Sequence, residues 1–319
     1  AARNPGWVRD TFLPFLGTLG ESGFNVDPNL LFRTLTGVGI KRVRFREIPE
    51  GFWSADSVSS AWKRAAEAWR RLVARFKEYG VLSADPMPTQ AALVTMISLI
   101  EKFDDAAEFR FAMYWFLQAS RFGRYSGSGT TSLEEDLRDI HEATSLLDAV
   151  ERLLRRFPHH EAVVPDDFMR DYTDGRFGRF LLYLLVYRNE AFDWDDHGHR
   201  LGFEGAALLT AFRPQWHHIF PKKYLVDKVE DTLVDALSNI AVIGAEINIR
   251  ISAKDPMNYI SKYGISDDKL QQQFIDPASL SIDHEGYEAW LWSRAKKLAA
   301  AANEFLASLA PPHREAATG

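Results

Sequence analysis

Cysteine is absent from all 319 residues, and with it go disulfide frameworks, thiolate zinc sites, iron–sulfur clusters and cysteine nucleophiles. Any metal must be held by His, Asp, Glu or Asn. Long apolar runs are missing too. The longest, Phe180 to Tyr187 and Ala91 to Ile100, fall well short of the ~18 residues that read as a membrane span, so no membrane partner is expected. Nor is there an excess of positive charge: 38 Lys and Arg stand against 44 Asp and Glu, a net charge of −6. That balance excludes a strongly basic nucleic-acid-binding module as a description of the whole molecule. The N-terminus, Ala1-Ala2-Arg3-Asn4-Pro5, has neither an initiator Met nor the apolar core of a signal peptide. It reads as a piece of a longer cytoplasmic chain.

What is present is an ordinary globular composition, long enough for roughly two domains at ~150 residues each. Residues 1–200 read as consecutive helices, a helical scaffold. Asp27-Pro28 opens one helix, which Gly37 and Gly39 should close. From Trp62 onward Ala65, Ala66, Trp69, Leu72, Val73 and Phe76 share one helical face. Thr89 to Lys102 and Asp104 to Phe122 give two more helices, the second apolar on every side and hence central. Thr131-Ser132-Leu133-Glu134 has the form of a capping box, and the stripe from Leu133 through Thr144 to Phe157 predicts one long helix behind it. Phe177 to Asn189 supplies another. Lys41-Arg42-Val43-Arg44-Phe45-Arg46 concentrates cations, which charge alone assigns to a solvated face.

Texture changes near residue 200, where a second domain, 201–319, begins. Gln215-Trp216-His217-His218-Ile219-Phe220-Pro221 and Leu237-Ser238-Asn239-Ile240-Ala241-Val242-Ile243 are strand-like, and Ala245-Glu246-Ile247-Asn248-Ile249-Arg250 opens a helix. The order strand, loop, strand, helix can bring His217, His218, Asn239 and Asn248 to one site. Neighbouring side chains of a strand face opposite ways, so the two imidazoles must divide their labour. One can join Asn248 on a metal while the other activates water, and Asn239 can orient that base. A nitrogen and an amide oxygen leave positions open for water and phosphate oxygens. Mg²⁺ or Mn²⁺ is then the expected cofactor, with Zn²⁺ second. A His-His pair between aromatics is commonly one packed and one exposed imidazole, and spacing alone leaves the two readings open.

The segments Trp216-His217-His218-Ile219-Phe220-Pro221, Ser238-Asn239-Ile240-Ala241, Glu246-Ile247-Asn248-Ile249-Arg250-Ile251-Ser252 and Pro256-Met257-Asn258-Tyr259-Ile260 resemble the HNH-like nuclease domain of GmrSD-type restriction enzymes, which include SspE-like proteins of phosphorothioate-based defence. Tyr114 to Ser128 and Leu133-Glu134-Glu135-Asp136-Leu137 resemble the helical middle of the same family. The resemblance implies a mainly α chain, a multi-helix bundle followed by a small ββα-metal (HNH, or His-Me finger) nuclease unit with C-terminal helices. It implies His218 as general base, His217 at a metal position often acidic in relatives, Asn239 in the second strand and Asn248 as the helix ligand.

Lys222, Arg250 and Lys254 become the candidate contacts to DNA phosphate. Between Arg213 and Lys262 seven cations face six anions, a local charge of +1, so affinity should be modest and salt-sensitive. The expected partner is double-stranded DNA, of phage or modified, and the expected activity a divalent-metal-dependent endonuclease of anti-phage defence. The alternative is a non-catalytic module for DNA or protein with a degenerate nuclease fold. The family's upstream nucleotide-hydrolysing module, marked by Asp-Gly-Gln-Gln-Arg, has no counterpart here, so the chain is read as the downstream part. Two further stretches weigh less. His197-Gly198-His199 with Asp193, Asp195 and Asp196, and the pair His159-His160, are read as connector and loop. Asp174-Gly175-Arg176-Phe177-Gly178-Arg179 could cradle phosphate but is read as a turn, and Arg121 to Tyr125 could be structural or bind phosphate.

Overall fold

Helix dominates because most of the chain repeats its apolar residues every three or four positions. A computed structural model describes residues 5–157, 161–195, 198–204, 207–209, 212–251 and 255–312. The chain folds as two units: one of Ala1–Glu78, Thr89–His160 and Leu306–Gly319, the other of Tyr79–Pro88 and Glu161–Phe305. The change of texture near residue 200 therefore falls inside the second unit. The reason is local pairing: Tyr172 N donates to Asp235 O at 2.8 Å and Leu237 N to Arg170 O at 3.0 Å. Residues ahead of 200 are thus built into the strand-bearing region.

The first unit contains α1 (Leu13–Glu21), α2 (Pro28–Ile40), α3 (Ala55–Glu78), α4 (Ala92–Phe103), α5 (Phe109–Arg121), α6 (Gly129–Glu142) and α7 (Leu146–Leu154). Asp27 caps α2 by accepting from Asn29 N. The helix runs through Gly37 and Gly39 and stops at Lys41, in the left-handed conformation. A Cβ on Gly39 would collide with Phe52, so this glycine serves close packing rather than termination. The α5 helix is buried on nearly every side, as an all-round apolar helix requires.

The expected capping box and long helix are both corrected. Glu134 accepts instead from Val43 N and Arg44 N, at 2.6 and 3.0 Å. The apolar stripe breaks into two helices at Ala143. Lys102 Nζ donates to the carbonyls of Ile140, His141 and Ala143, closing the end of α6, and Ser145 caps α7 by accepting from Asp148 N. Arg124 and Tyr125 both bond Asp136, which is fully buried, at 2.8 and 2.6 Å. Within this unit they hold a loop to α6.

The second unit contains α8 (Arg176–Arg188), a two-residue ladder of β1 (Phe203–Glu204) and β2 (Ala207–Leu208), and the antiparallel pair β3 (Gln215–His218) and β4 (Ile240–Ile243). After them come α9 (Ala245–Ile251), α10 (Pro256–Lys262), α11 (Asp267–Gln272) and α12 (Tyr287–Leu309), the last belonging to this unit as far as Phe305. Its core gathers Trp194, Phe220, Ile243, Tyr259, Tyr287 and Trp290. Arg294 of α12 is buried and donates to the carbonyls of Ser238, Ile240 and Gln273, which fixes the entry to β4. The chain is mainly α, and its second unit carries a strand–strand–helix element, β3–β4–α9.

Candidate active site

Strand β3 pairs with β4 so that His217 faces Ala241 and His218 faces Ile240. Alternation along the strand sends the two imidazoles to different surroundings. His217 Nδ1 lies 3.0 Å from Asn248 Oδ1 on α9. Trp194 and Tyr259 meet the His217 ring edge to face, both at 5.6 Å between centroids. Burial drives its pKa down to about 4, against a smaller upward pull from Asn248. The ring is neutral, and its Nε2 is buried with no partner.

This side passes a limited test as a cation site. An imidazole nitrogen and an amide oxygen 3.0 Å apart match the spacing of adjacent ligands on an octahedral ion bound at ~2.1 Å, and the two converge on an ion in the tautomer that carries the ring proton on Nε2; in the other tautomer Nδ1–H donates to Asn248 instead. Among the described residues no group of three His, Asp or Glu is arranged to hold a metal, so water and substrate oxygens would have to complete the shell.

His218 points the other way. Its Nε2 lies 2.7 Å from Asp235 Oδ1, and Lys222 Nζ lies 2.7 Å from Asp235 Oδ2. With the Nε2 proton committed to the carboxylate, Nδ1 carries the lone pair. Burial lowers the His218 pKa despite the opposing pull of Asp235, which favours the neutral imidazole. Burial would raise the Asp235 carboxyl, but its bonds from Lys222 and His218 outweigh this and hold it below the usual carboxylate range. Tyr172 meets the His218 ring edge to face at 5.4 Å. The Arg179 guanidinium lies 5.9 Å from the ring centres of both Tyr172 and Trp216.

Asn239 does not orient either imidazole. Its Oδ1 accepts from Phe220 N at 2.9 Å, and its Nδ2 donates to Phe220 O at 3.0 Å and Val234 O at 2.9 Å. These three hydrogen bonds fasten the loop between the strands. The residue that holds the His218 imidazole is Asp235, which the sequence reading missed. An acid a few residues ahead of Asn239 was the only signal. Tyr172 and Arg179 were missed as members of the site too, and residues 176–179 form the first turn of α8 rather than a free turn.

Among the expected phosphate contacts, Lys222 is tied to Asp235, and Arg250 is exposed on α9 with its guanidinium 5.4 Å from the Tyr263 ring. Lys254 lies outside the described residues, as do His159, His160, Asp196 and His197. The stretch read as a solvated connector is partly built in. Trp194 is fully buried, and Asp193 Oδ1 accepts from Gly244 N at 3.0 Å, at the start of α9. Among the described residues no helix is long and apolar enough to cross a membrane. No protein-family model matches the chain, and no curated protein matches it.

Proposed function

We propose that the second unit is an HNH-type, divalent-metal-dependent DNA endonuclease, the cutting part of an anti-phage restriction protein. The observation that carries this reading is the His218–Asp235 hydrogen bond at 2.7 Å, on a strand whose neighbouring imidazole meets an amide oxygen on the following helix. A carboxylate on Nε2 fixes the tautomer in which Nδ1 accepts a proton. As a water oxygen attacks phosphorus, its proton passes to His218 Nδ1, the P–O3′ bond breaks, and the leaving oxygen takes a proton from solvent. Asp235 stabilises the imidazolium that forms. Lys222 keeps Asp235 ionised through the cycle. His217 and Asn248 would hold the cation, which when bound offsets charge on the phosphate and on the leaving oxygen.

A supercoiled-plasmid assay in Mg²⁺ or Mn²⁺ tests the reading. Conversion to nicked or linear DNA is expected, with loss in His218→Ala. Activity undiminished in that variant overturns the assignment. The enclosure of His217 between Trp194 and Tyr259 favours a second reading, a non-catalytic nucleic-acid or protein-binding module. Calorimetric titration with Mn²⁺ separates the two. A stoichiometric site that disappears in Asn248→Ala belongs to the nuclease, and a flat titration belongs to the binding module.

A further inference from the structure

We propose that Arg179 grips a phosphate of the DNA backbone on the His218 side of strand β3, an inference that rests on the nuclease reading above. The argument begins with which charges are already committed. Lys222 Nζ is bonded to Asp235. Arg170 pairs with Asp167 at 3.5 Å. Asp171 accepts from Thr173 N and Oγ1 at 2.7 and 2.8 Å, and Asp235 is shared by His218 and Lys222. Arg179 differs from all of these. Its contacts are two aromatic rings, and among the described residues no carboxylate or carbonyl pairs with it. The side chain is half-buried, yet none of its nitrogens is a buried, unpaired atom. They face outward.

An arginine held by ring faces keeps its planar fork of five N–H donors free and fixed in direction, which suits a bidentate bond to a phosphate. The fold also spends local structure on placing it. A Cβ on Gly178 would collide with Leu237, so the glycine lets the first turn of α8 approach the loop that carries Asp235. Tyr172 is anchored to the same loop, through its N–H to Asp235 O at 2.8 Å. One ring, Tyr172, therefore touches both the base His218 and the cation Arg179. The imidazole and the guanidinium thus sit 5.4 and 5.9 Å from one ring centre, on the same patch of the second unit. The ligand class is a phosphodiester, and the role is substrate binding.

The test compares the full chain with Arg179→Gln, Arg179→Lys and Arg176→Gln, the last an exposed cation of the same turn. Binding of a fluorescent DNA duplex is read by anisotropy in EDTA across a salt series, and cleavage is read separately in Mn²⁺. Arg179→Gln should raise Kd roughly tenfold or more and flatten the slope of log affinity against log salt by about 0.9, the signature of one lost phosphate contact. Arg179→Lys should recover the slope but not the full affinity, because a point charge replaces the fork. Arg176→Gln should leave both close to wild type. Wild-type Kd and slope in Arg179→Gln overturn the proposal, and so does an equal loss in Arg176→Gln. Should Arg179→Gln not fold, wild-type affinity in Arg179→Lys overturns it instead. A wild-type chain that binds the duplex but never cuts it in Mn²⁺ sinks the nuclease reading alone, and the Kd comparison still decides Arg179. Failure of the wild type to bind overturns both.

Discussion

Asp235 holds the His218 imidazole by a 2.7 Å hydrogen bond to Nε2, so the tautomer of the candidate base is set by a carboxylate on the loop between the strands. That bond can be tested apart from any activity. In wild type, nitrogen-15 spectra should show the proton on Nε2. Asp235→Asn, which can offer its amide protons to the ring, should shift the population toward the other tautomer. In the nuclease assay the same variant should lose roughly 10⁴-fold in kcat, the loss seen when the tautomer-setting acid of a catalytic imidazole is replaced by its amide. An unchanged tautomer in Asp235→Asn would show that the carboxylate does not hold the ring.

Asn239 should behave as a structural residue. Its side chain makes three hydrogen bonds to Phe220 and Val234 and is fully buried. Asn239→Ala leaves one buried N–H and two buried carbonyls unpaired, at ~1–3 kcal/mol each when unrelieved. A loss of about 3 kcal/mol or more is expected in urea unfolding, before any specific effect on catalysis. A variant with wild-type stability and reduced turnover would return Asn239 to the chemistry.

The part of the site that could be read from sequence is the part made by neighbours in the chain. Strand alternation places His217 and His218 on opposite sides, and a helix opening just after Gly244 carries Asn248 back to His217. Those are short-range rules. Asn239 was legible as important but not for its partners, because an amide in a loop can bond in any direction. Tyr172 and Arg179 lie far upstream, and only the pairing of residues 170–172 with the loop 235–237 brings them to His218. The same limit explains the broken helix. The stripe from Leu133 to Phe157 carries no sign that Lys102, from another helix, will close the carbonyls at Ala143.

Arg294 supports the site from below. Its guanidinium is fully buried against the carbonyls of Ser238, Ile240 and Gln273, and burial pulls its pKa down to about 9, so it stays charged at neutral pH. Arg294→Met fills most of the volume but strands those carbonyls. A loss of roughly 3 kcal/mol is expected in denaturant unfolding, with amide exchange accelerated at Ile240 and Val242 on β4. A neutral effect on stability would mean that the carbonyls find water, and that the arginine is not what fixes the strand.

His217 predicts a pH dependence of folding in the metal-free protein. Its pKa is about 4 in the native state because the ring is buried, against an ordinary value near 6.5 in the unfolded chain. Between those two values the unfolded chain carries a proton that the native state lacks, so stability rises with pH across the window. The contribution is fully present above about pH 6.5, is lost as the pH falls, and levels off below about pH 4. At ~1.36 kcal/mol per pKa unit it amounts to roughly 3 kcal/mol. Urea unfolding in EDTA between pH 4 and 7 should show this slope in wild type and a shallower one in His217→Phe, which has no proton to exchange. Proton NMR of the imidazole should give a midpoint near pH 4. A midpoint near 6.5, or equal slopes in the two proteins, would mean that the ring between Trp194 and Tyr259 is open to water, and the account of His217 as a neutral, enclosed lone-pair donor would fail with it.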